Sequence, residues 1–219
     1  MSREEILTSI RANLAASTKF DELHEAHRHD ADHTSAAIPH VPLSQLELTE
    51  LFRNNLESVR GSFVSVASRA EAVVAVQKII DEIRPARIAV SDAPAVLSMA
   101  DSLSTSAEVL VKATAKELFS CEVGITCAQW AIAETGTLVL DSAKEFNRLT
   151  SLVPERHICI LEADKIRGTM SEILSIVGER LSPTVTFITG PSRTSDIELT
   201  LAIGVHGPAE LYVIVVERD

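Results

Sequence analysis

The sequence predicts an α/β fold: an open, mostly parallel sheet with helices on both faces, preceded by an N-terminal helical arm. From about residue 44 onward, apolar runs of strand length alternate with segments of helical periodicity. This order is typical of a parallel sheet that helices cover on both faces. Hydrophobic residues make up 46% of the chain but aromatic residues only 4%, so the core must be aliphatic.

The arm is predicted to occupy residues 1–43. A capping-box pattern opens at Ser2, and apolar residues recur on one face up to Leu14, which indicates a short amphipathic helix. From residue 17 to 42 the periodicity disappears and polar residues predominate, which favours a linker. An isolated helix this short is marginal in water, so we expect it to dock on the main domain or on another subunit.

The linker contains a histidine tract whose members are His24, His27, His29 and His33. Such a tract can bind a metal, but its spacing comes with no cysteine or carboxylate set that would define a coordination geometry. We therefore predict a solvated linker and no metal site.

The main domain is predicted to span residues 44–219. Apolar residues at helical spacing from Leu46 to Val59 predict a first helix, which Gly61 ends. The run SFVSVA predicts a strand, and a capping-box pattern at Ser68 opens a helix that continues to Ile83. The elements that follow are predicted as a strand at 87–90, a helix at 93–103 with a proline in its first turn, and a strand at 109–111.

The second half of the domain contains further apolar runs. Strands are predicted at 137–140, 158–161, 185–188 and 211–216. Helices are predicted between them at 169–181 and 196–203. Because open α/β sheets bind ligands at the carboxyl ends of their strands, the polar clusters next to these strands are the candidate sites.

Charge and cysteine content exclude several classes of protein. The formal net charge of −11 disfavours nucleic-acid binding, because an acidic chain repels phosphate. No apolar run approaches the ~18 residues of a membrane span, and charges stand where a signal peptide needs apolar residues, so we expect a cytoplasmic protein. The three cysteines, Cys121, Cys127 and Cys159, are too few for an iron–sulfur cluster, which normally takes four.

The first polar cluster is AETGTLVLDS, at the start of a predicted strand. Gly136 permits a turn before the strand, and Glu134 could act as a nucleophile or a general base if its neighbours tune it. Thr135, Gly136 and Thr137 are candidate ligand-binding residues. The alternative is a solvated glutamate at the end of a strand.

The second cluster is EFNRLTSLVPERHICI. Asn147 and Arg148 are candidate ligand-binding residues, because a guanidinium can hold a carboxylate or phosphate with two hydrogen bonds. His157 could transfer a proton near neutral pH. The alternative is an ion pair for Arg148 and a capping role for His157.

The third cluster is ITGPSRTSDIEL, where Gly190 and Pro191 end a predicted strand. Ser192 or Thr194 can cap the helix expected at residue 196. The free amides at that helix start, together with Arg193, would form an anion site. All of these residues except Pro191 are candidate ligand-binding residues.

Acidic residues and a second loop complete the third cluster. Asp196 and Glu198 are also candidate ligand-binding residues. They would repel a phosphate, so we expect them to orient Arg193, to meet the helix dipole or to contact a second subunit. The loop GVHGP supplies His206 as a catalytic candidate and Gly207 as a ligand-binding one. The cluster is neither a Walker loop nor a GxGxxG fingerprint.

Three stretches together resemble the LUD domain family, and within it the lactate-utilisation protein C (LutC/YkgG) group. They are AIAETGTLVL, FNRLTSLVPERHICI and ITGPSRTSDIELTLAIGVHGPAELYVIVV, and the resemblance runs from about Val123 to Val216. It implies a fold similar to the NagB/RpiA/CoA-transferase group. It also implies a role with two partner proteins in the oxidation of L-lactate to pyruvate, in which the partners carry the iron–sulfur chemistry.

We therefore expect a non-redox component of a lactate-utilisation system, with no cofactor of its own and a small anion bound at strand ends. An oxidoreductase needs a redox cofactor, and the chain contains neither a cluster motif nor a flavin or nicotinamide fingerprint. The alternative is a CoA-transferase-like or sugar-phosphate-binding enzyme in which Glu134 is the nucleophile. A third hypothesis is a regulatory or structural protein, and homo-oligomers are possible in each case.

Overall fold

The computed structural model describes residues 3–16, 43–143, 148–178, 182–195, 201–203 and 207–217. The chain divides into two units, Met1–Pro42 and Leu43–Asp219. The first unit contains helix α1, Arg3–Ala16, whose first turn carries two glutamates that favour the positive end of the helix dipole. The predicted linker and its histidine tract lie outside the described residues.

Six parallel strands form the main sheet of the second unit, and this confirms the predicted fold class. The strands are β1 (Ser62–Val66), β2 (Arg87–Val90), β3 (Glu108–Val111), β4 (Val123–Cys127), β7 (Arg156–Glu162) and β12 (Glu210–Val216). Their order across the sheet is β1-β12-β7-β4-β2-β3. The sequence did not predict β4, because Gly124 and Thr126 interrupt its apolar run. A Cβ atom at Gly124 would lie 2.1 Å from the Thr150 carbonyl oxygen, so the close packing of the chain there requires glycine.

Four helices lie close to their predicted places: α2 (Gln45–Ser58), α3 (Arg69–Ile83), α4 (Pro94–Asp101) and α6 (Met170–Gly178). The sequence did not predict the short helix α5 (Ala115–Leu118) or the 3-10 helices at Arg148–Ser151 and Ala163–Lys165. The side chain of Ser44 accepts a hydrogen bond from the Glu47 amide, and Glu47 bonds back to the Ser44 amide. This capping box stabilises the start of α2.

The core has two layers, one on each face of the main sheet. On one face, aliphatic residues such as Ile88 and Ile125 pack under α3 and α4. On the other face, Leu161 and Val213 pack against Phe52 and Leu56 of α2 and against a second sheet. Each fully buried side chain of this size contributes roughly 1.5–3 kcal/mol to folding.

The second sheet has four strands: β5 (Trp130–Ile132), β6 (Thr137–Asp141), β8 (Ile166–Arg167) and β9 (Val185–Ile188). Their order across the sheet is β8-β5-β6-β9. Strand β6 pairs antiparallel with both β5 and β9. The strands predicted at 137–140 and 185–188 therefore exist, but they belong to this small sheet and not to the parallel one.

The helix predicted at 196–203 is wrong at its described end. Strands β10 (Arg193–Ser195) and β11 (Leu201–Ile203) form an antiparallel pair, in which Arg193 is opposite Ile203. The apolar residues of this segment, Ile197, Leu199, Leu201 and Ile203, also alternate with a period of two. That period is typical of a strand, and the sequence interpretation gave it too little weight.

Candidate functional site

The predicted anion-binding loop lies at the amino edge of the main sheet, so its predicted position at the carboxyl edge is wrong. The amide of Ser192 donates to the Pro208 carbonyl oxygen at 2.8 Å, directly before β12. Arg193 lines a cavity of about 90 Å³ together with Arg60 and Glu210, at the starts of β1 and β12. The loop follows β9, and β9 belongs to the small antiparallel sheet.

Arg193 caps the C-terminal end of α2 with a hydrogen bond. Its Nη2 donates to the carbonyl oxygen of Val59, the residue after the helix, as basic side chains do at helix C-termini. Gly190 has φ +80°, and a Cβ atom there would lie 2.8 Å from the same carbonyl oxygen. Glycine is required at this position by both the backbone conformation and the close contact.

The predicted helix start at residue 196, which was to supply free amides, lies outside the described residues. Just before it, Thr194 lies in β10, opposite Ala202 of β11. Gly207 packs against Ser192, with 3.2 Å between a Cβ at Gly207 and the Ser192 Cβ. The GPSR and GVHGP stretches are therefore neighbours, whereas Asp196, Glu198 and His206 lie outside the described residues.

A row of threonines connects β6 to this loop. The Oγ1 atoms of Thr135 and Thr137 are 2.7 Å apart, and those of Thr137 and Thr189 are also 2.7 Å apart. Gly136 has φ +64°, and a Cβ there would lie 2.3 Å from the Leu56 amide nitrogen. Residues 135–137, 189–193 and 207–210 thus form one interlocked group against the last turn of α2, which we call the amino-edge cluster.

Glu134 is exposed and has a structural contact. Its Oε1 accepts a hydrogen bond of 2.7 Å from the Met170 amide at the start of α6. A carboxylate at that position satisfies a free helix amide and favours the helix dipole. In the described part of the chain, no hydrogen bond or ion pair joins Glu134 to Arg148 or to Arg193.

The second predicted cluster is divided between surface and core. Arg148 is exposed at the start of a 3-10 helix, and Asn147 lies outside the described residues. His157 is fully buried, and its Nε2 is 2.8 Å from the Thr126 Oγ1. Burial lowers the pKa of His157 to about 3, so the ring is neutral near pH 7. The suggested proton transfer near neutral pH is therefore wrong for this histidine.

A cleft of about 740 Å³ opens at the opposite, carboxyl edge of the sheet. Its walls include residues that follow β2 (Ala93 to Ala95), residues at the end of β4 (Cys127 to Trp130) and residues at the end of β7 (Glu162 and Lys165). Between β2 and β4 the strand order reverses, because β3 lies on one side of β2 and β4 on the other. Open α/β folds bind ligands at this kind of topological switch point.

Three adjacent strands of the small sheet place a cation, an indole and a carboxylate side by side in this carboxyl-edge cleft. Trp130 of β5 is opposite Val139 of β6, and Ile132 is opposite Arg167 of β8. Since side chains alternate along a strand, Arg167 and Asp141 flank Trp130 diagonally on the same face. All three line the cleft.

Hydrogen bonds fix the cleft's walls. Gln129 donates from Nε2 to the Cys127 carbonyl oxygen at 2.9 Å and accepts from the Asp141 amide at 2.6 Å. Arg167 donates from Nη1 to the carbonyl oxygens of Asp164 (2.8 Å) and Ile166 (3.1 Å). These contacts fix the position of the guanidinium group.

The charges of the cleft favour an anion near Arg167. Glu162 pairs with Arg69 at 3.0 Å, which offsets its negative charge. Lys165 pairs with the exposed Asp164 at 2.8 Å, and such exposed pairs are weak enough to give way to a ligand. In the described part, no three His, Cys, Asp or Glu side chains are placed to hold a metal ion.

Sequence reasoning did not select the residues of this cleft. The signal was present, because Lys165 and Arg167 follow the predicted strand at 158–161 and Trp130 is the chain's single tryptophan. Their position in the cleft depends on β4, β5 and β8, which the sequence interpretation did not contain.

No helix in the described residues is both long and apolar enough to cross a membrane.

Comparison with known proteins gives consistent matches. The LUD domain family matches residues 49–216. Lactate utilization protein C of Deinococcus radiodurans is 33% identical over 179 residues, which cover 80% of this chain and 82% of that protein. The protein of the same name from Bacillus subtilis (strain 168) is 37% identical over 110 residues, 47% of this chain and 46% of that protein.

The counterpart from Halalkalibacterium halodurans is 40% identical over 102 residues, so the matched segment spans less than half, 44%, of either chain. Among solved structures, a DUF162 family protein from Deinococcus radiodurans has a TM-score of 0.63 and 28% identity. The alignment covers 80% of this chain and 100% of that one.

Proposed function

This chain belongs to the LUD domain family, and we propose that it is a non-redox component of an L-lactate utilisation system that acts with iron–sulfur partner proteins and binds an anion in the carboxyl-edge cleft. The relatives named lactate utilization protein C support the metabolic role. One observation supports the binding role: Arg167 lines the cleft next to the switch point, and only the Nη1 atom of its guanidinium group hydrogen-bonds to described residues.

Arg167 is suited to hold a carboxylate or phosphate. Its Nη1 is occupied by two backbone carbonyl oxygens, whereas Nε and Nη2 make no hydrogen bond or ion pair with the described residues. Two parallel N–H donors match the two oxygens of a carboxylate, and a guanidinium held in advance loses little entropy on binding. Lys165 adds a second positive charge to the same cleft.

We place the redox chemistry in the partners. The three cysteines of this chain are fewer than the four thiolates that an iron–sulfur cluster normally takes. Cys121 and Cys159 are moreover buried in different core clusters. A chain that supports such partners needs a docking surface and a ligand site, and it does not need a cluster of its own.

A growth assay tests the metabolic role and the anion site together. A strain that lacks the gene should regain growth on L-lactate with the wild-type chain and with Arg53→Ala, an exposed arginine of α2 outside the cleft. Arg167→Ala should restore at most a tenth of the growth rate while its melting temperature and abundance stay close to wild type. Full growth with Arg167→Ala, or normal growth of the deletion strain, would contradict the proposal.

Affinity purification tests the partners. A tagged chain isolated without oxygen should bring down cysteine-rich proteins that carry iron and labile sulfide, and the chain purified alone should carry neither. Stoichiometric iron and sulfide on the chain alone would overturn the non-redox role.

A further inference from the structure

We infer that the ligand of the carboxyl-edge cleft is a ring-bearing anion that also offers N–H donors, which is the chemistry of a nucleotide. This inference rests on the proposed anion site at Arg167. It adds to that site a stacking surface at Trp130 and an acceptor at Asp141.

The cleft is larger than a three-carbon acid requires. Pockets that enclose drug-sized ligands measure roughly 300–1,000 Å³, and this cleft measures about 740 Å³. The cavity at the amino edge, by contrast, measures about 90 Å³. An anion bound at Arg167 alone would leave most of the carboxyl-edge cleft filled with water.

The walls beside Arg167 are suited to a flat ring. Trp130 is half-buried, and it packs on the cluster formed by Ile132, Val139 and Ile173, so its indole is held in one orientation with part of its surface facing the cleft. Small side chains, from Ala93 to Ala95, line the same cavity and leave space for a ring. Aromatic side chains stack on any nucleobase, because every base has a π-face.

Asp141 would set the orientation of the ligand in the cleft. Its Oδ1 accepts from the Ala143 amide at 2.8 Å, and its Oδ2 has no partner in the described residues. A free carboxylate oxygen accepts N–H donors and repels a phosphate. Because Asp141 and Arg167 flank Trp130 on opposite sides, a ring stacked on the indole would turn its N–H groups toward Asp141 and its anionic group toward Arg167.

The single tryptophan makes this inference directly measurable, since all indole fluorescence comes from the cleft. The titrants are AMP, GMP, CMP and UMP, each with its own nucleoside as the ring without the anion, and ribose 5-phosphate as the anion without the ring. We expect saturable quenching by at least one nucleotide. Its matched nucleoside and ribose 5-phosphate should each bind at least tenfold more weakly.

Variants then assign the two ends of the ligand. Arg167→Ala should weaken nucleotide binding at least tenfold and leave nucleoside binding unchanged, whereas Asp141→Asn should weaken both at least threefold. Arg53→Ala is the matched control and should bind as wild type does. Melting curves with and without nucleotide give a second readout for any variant with weak fluorescence changes.

Three results would overturn the inference. The first is that none of the four nucleotides quenches saturably at up to 10 mM, which is roughly the weakest affinity of interest. The others are that ribose 5-phosphate binds as tightly as the nucleotide, or that both cleft variants bind the nucleotide with wild-type affinity. If no nucleotide binds but growth on L-lactate still depends on Arg167, the inference fails and the proposed function stands. If nucleotides bind as expected but Arg167→Ala grows normally, the inference stands and the proposed function fails.

Discussion

The amino-edge cluster and the carboxyl-edge cleft differ in how their polar groups are used. In the amino-edge cluster, polar groups bond to one another: Thr137 to Thr189, the Ser192 amide to Pro208, and Arg193 to the end of α2. In the cleft, Arg167 and Asp141 keep donor and acceptor atoms that no described residue occupies. In the described residues, the polar groups of the first region therefore support the fold, and the second region is where we propose that a ligand binds.

The comparison teaches that a conspicuous polar motif need not be a binding motif. GPSRTSDIE attracts attention because it contains both charges, a glycine and a proline, but its described part joins α2 to the small sheet and to the start of β12. Arginine and glycine are required there by a helix end and a left-handed backbone.

The largest effect on stability should come from adding a side chain at Gly136. Gly136→Ala places a methyl group 2.3 Å from the Leu56 amide nitrogen at φ +64°, so we expect unfolding free energy to fall by about 3 kcal/mol. Gly178→Ala is the matched control, because nothing lies within 4 Å of a Cβ there. Urea denaturation measures both, and equal midpoints would show that the cluster tolerates change.

The next effect concerns pH and His157, at the amino end of β7. The folded-state pKa of about 3 lies below the unfolded value near 6.5, so protons bind the unfolded chain first and stability falls as pH decreases from 6.5 toward 3. We expect a loss of about 2 kcal/mol between pH 6.5 and 4.5 from this group. Urea denaturation of the wild type and of His157→Gln at both pH values measures this loss, and the variant should not show it. An equal loss of unfolding free energy in both proteins would mean that His157 takes up protons as readily in the folded state as in the unfolded state.

A smaller effect is expected for Arg193→Ala. The variant loses the contact with the Val59 carbonyl oxygen, so unfolding free energy should decrease by about 1 kcal/mol, while ligand affinity at the cleft stays unchanged. Calorimetric titration with the nucleotide that binds best, alongside thermal melting, measures both quantities. A variant that melts normally but no longer binds anions would restore the original prediction of an anion site at Arg193.

The smallest effect is expected for Glu134→Gln. The amide oxygen of glutamine can still accept from the Met170 amide, so only the charge at the start of α6 is lost, at a cost of about 0.5 kcal/mol. Growth on L-lactate should be unaffected. Exchange of label between CoA and a carboxylic acid, present in wild type and absent in this variant, would instead support the acyl-transfer alternative.

The sequence was sufficient for the fold class and for most elements of the main sheet. Alternating strands and helices, a capping serine at Ser68 and an aliphatic composition are local signals, and each was visible in the sequence. Sheet membership is not local. Strands at 137–140 and 185–188 have the same apolar character as the strands of the main sheet, and only pairing separates them.

The residues of the carboxyl-edge cleft were not selected from the sequence, for the same reason. At the amino edge, the sequence indicated a turn at Gly190, and Gly190 does have a left-handed backbone conformation. It did not indicate that Arg193 would hydrogen-bond to the Val59 carbonyl oxygen. The position of Trp130 between Arg167 and Asp141 arises from pairing among β5, β6 and β8, whose strands are only two to five residues long. The sequence predicted β6, but β5 and β8 carry too few residues for a recognisable period.

The most direct test of the central claim, that the carboxyl edge and not the amino edge is the working site, is growth on L-lactate of a deletion strain that carries either Arg167→Ala or Arg193→Ala at matched protein abundance. We predict that Arg193→Ala restores growth to within twofold of wild type and that Arg167→Ala does not restore it. Normal growth with Arg167→Ala and failure with Arg193→Ala would contradict the account and place the working site at the amino-edge cluster.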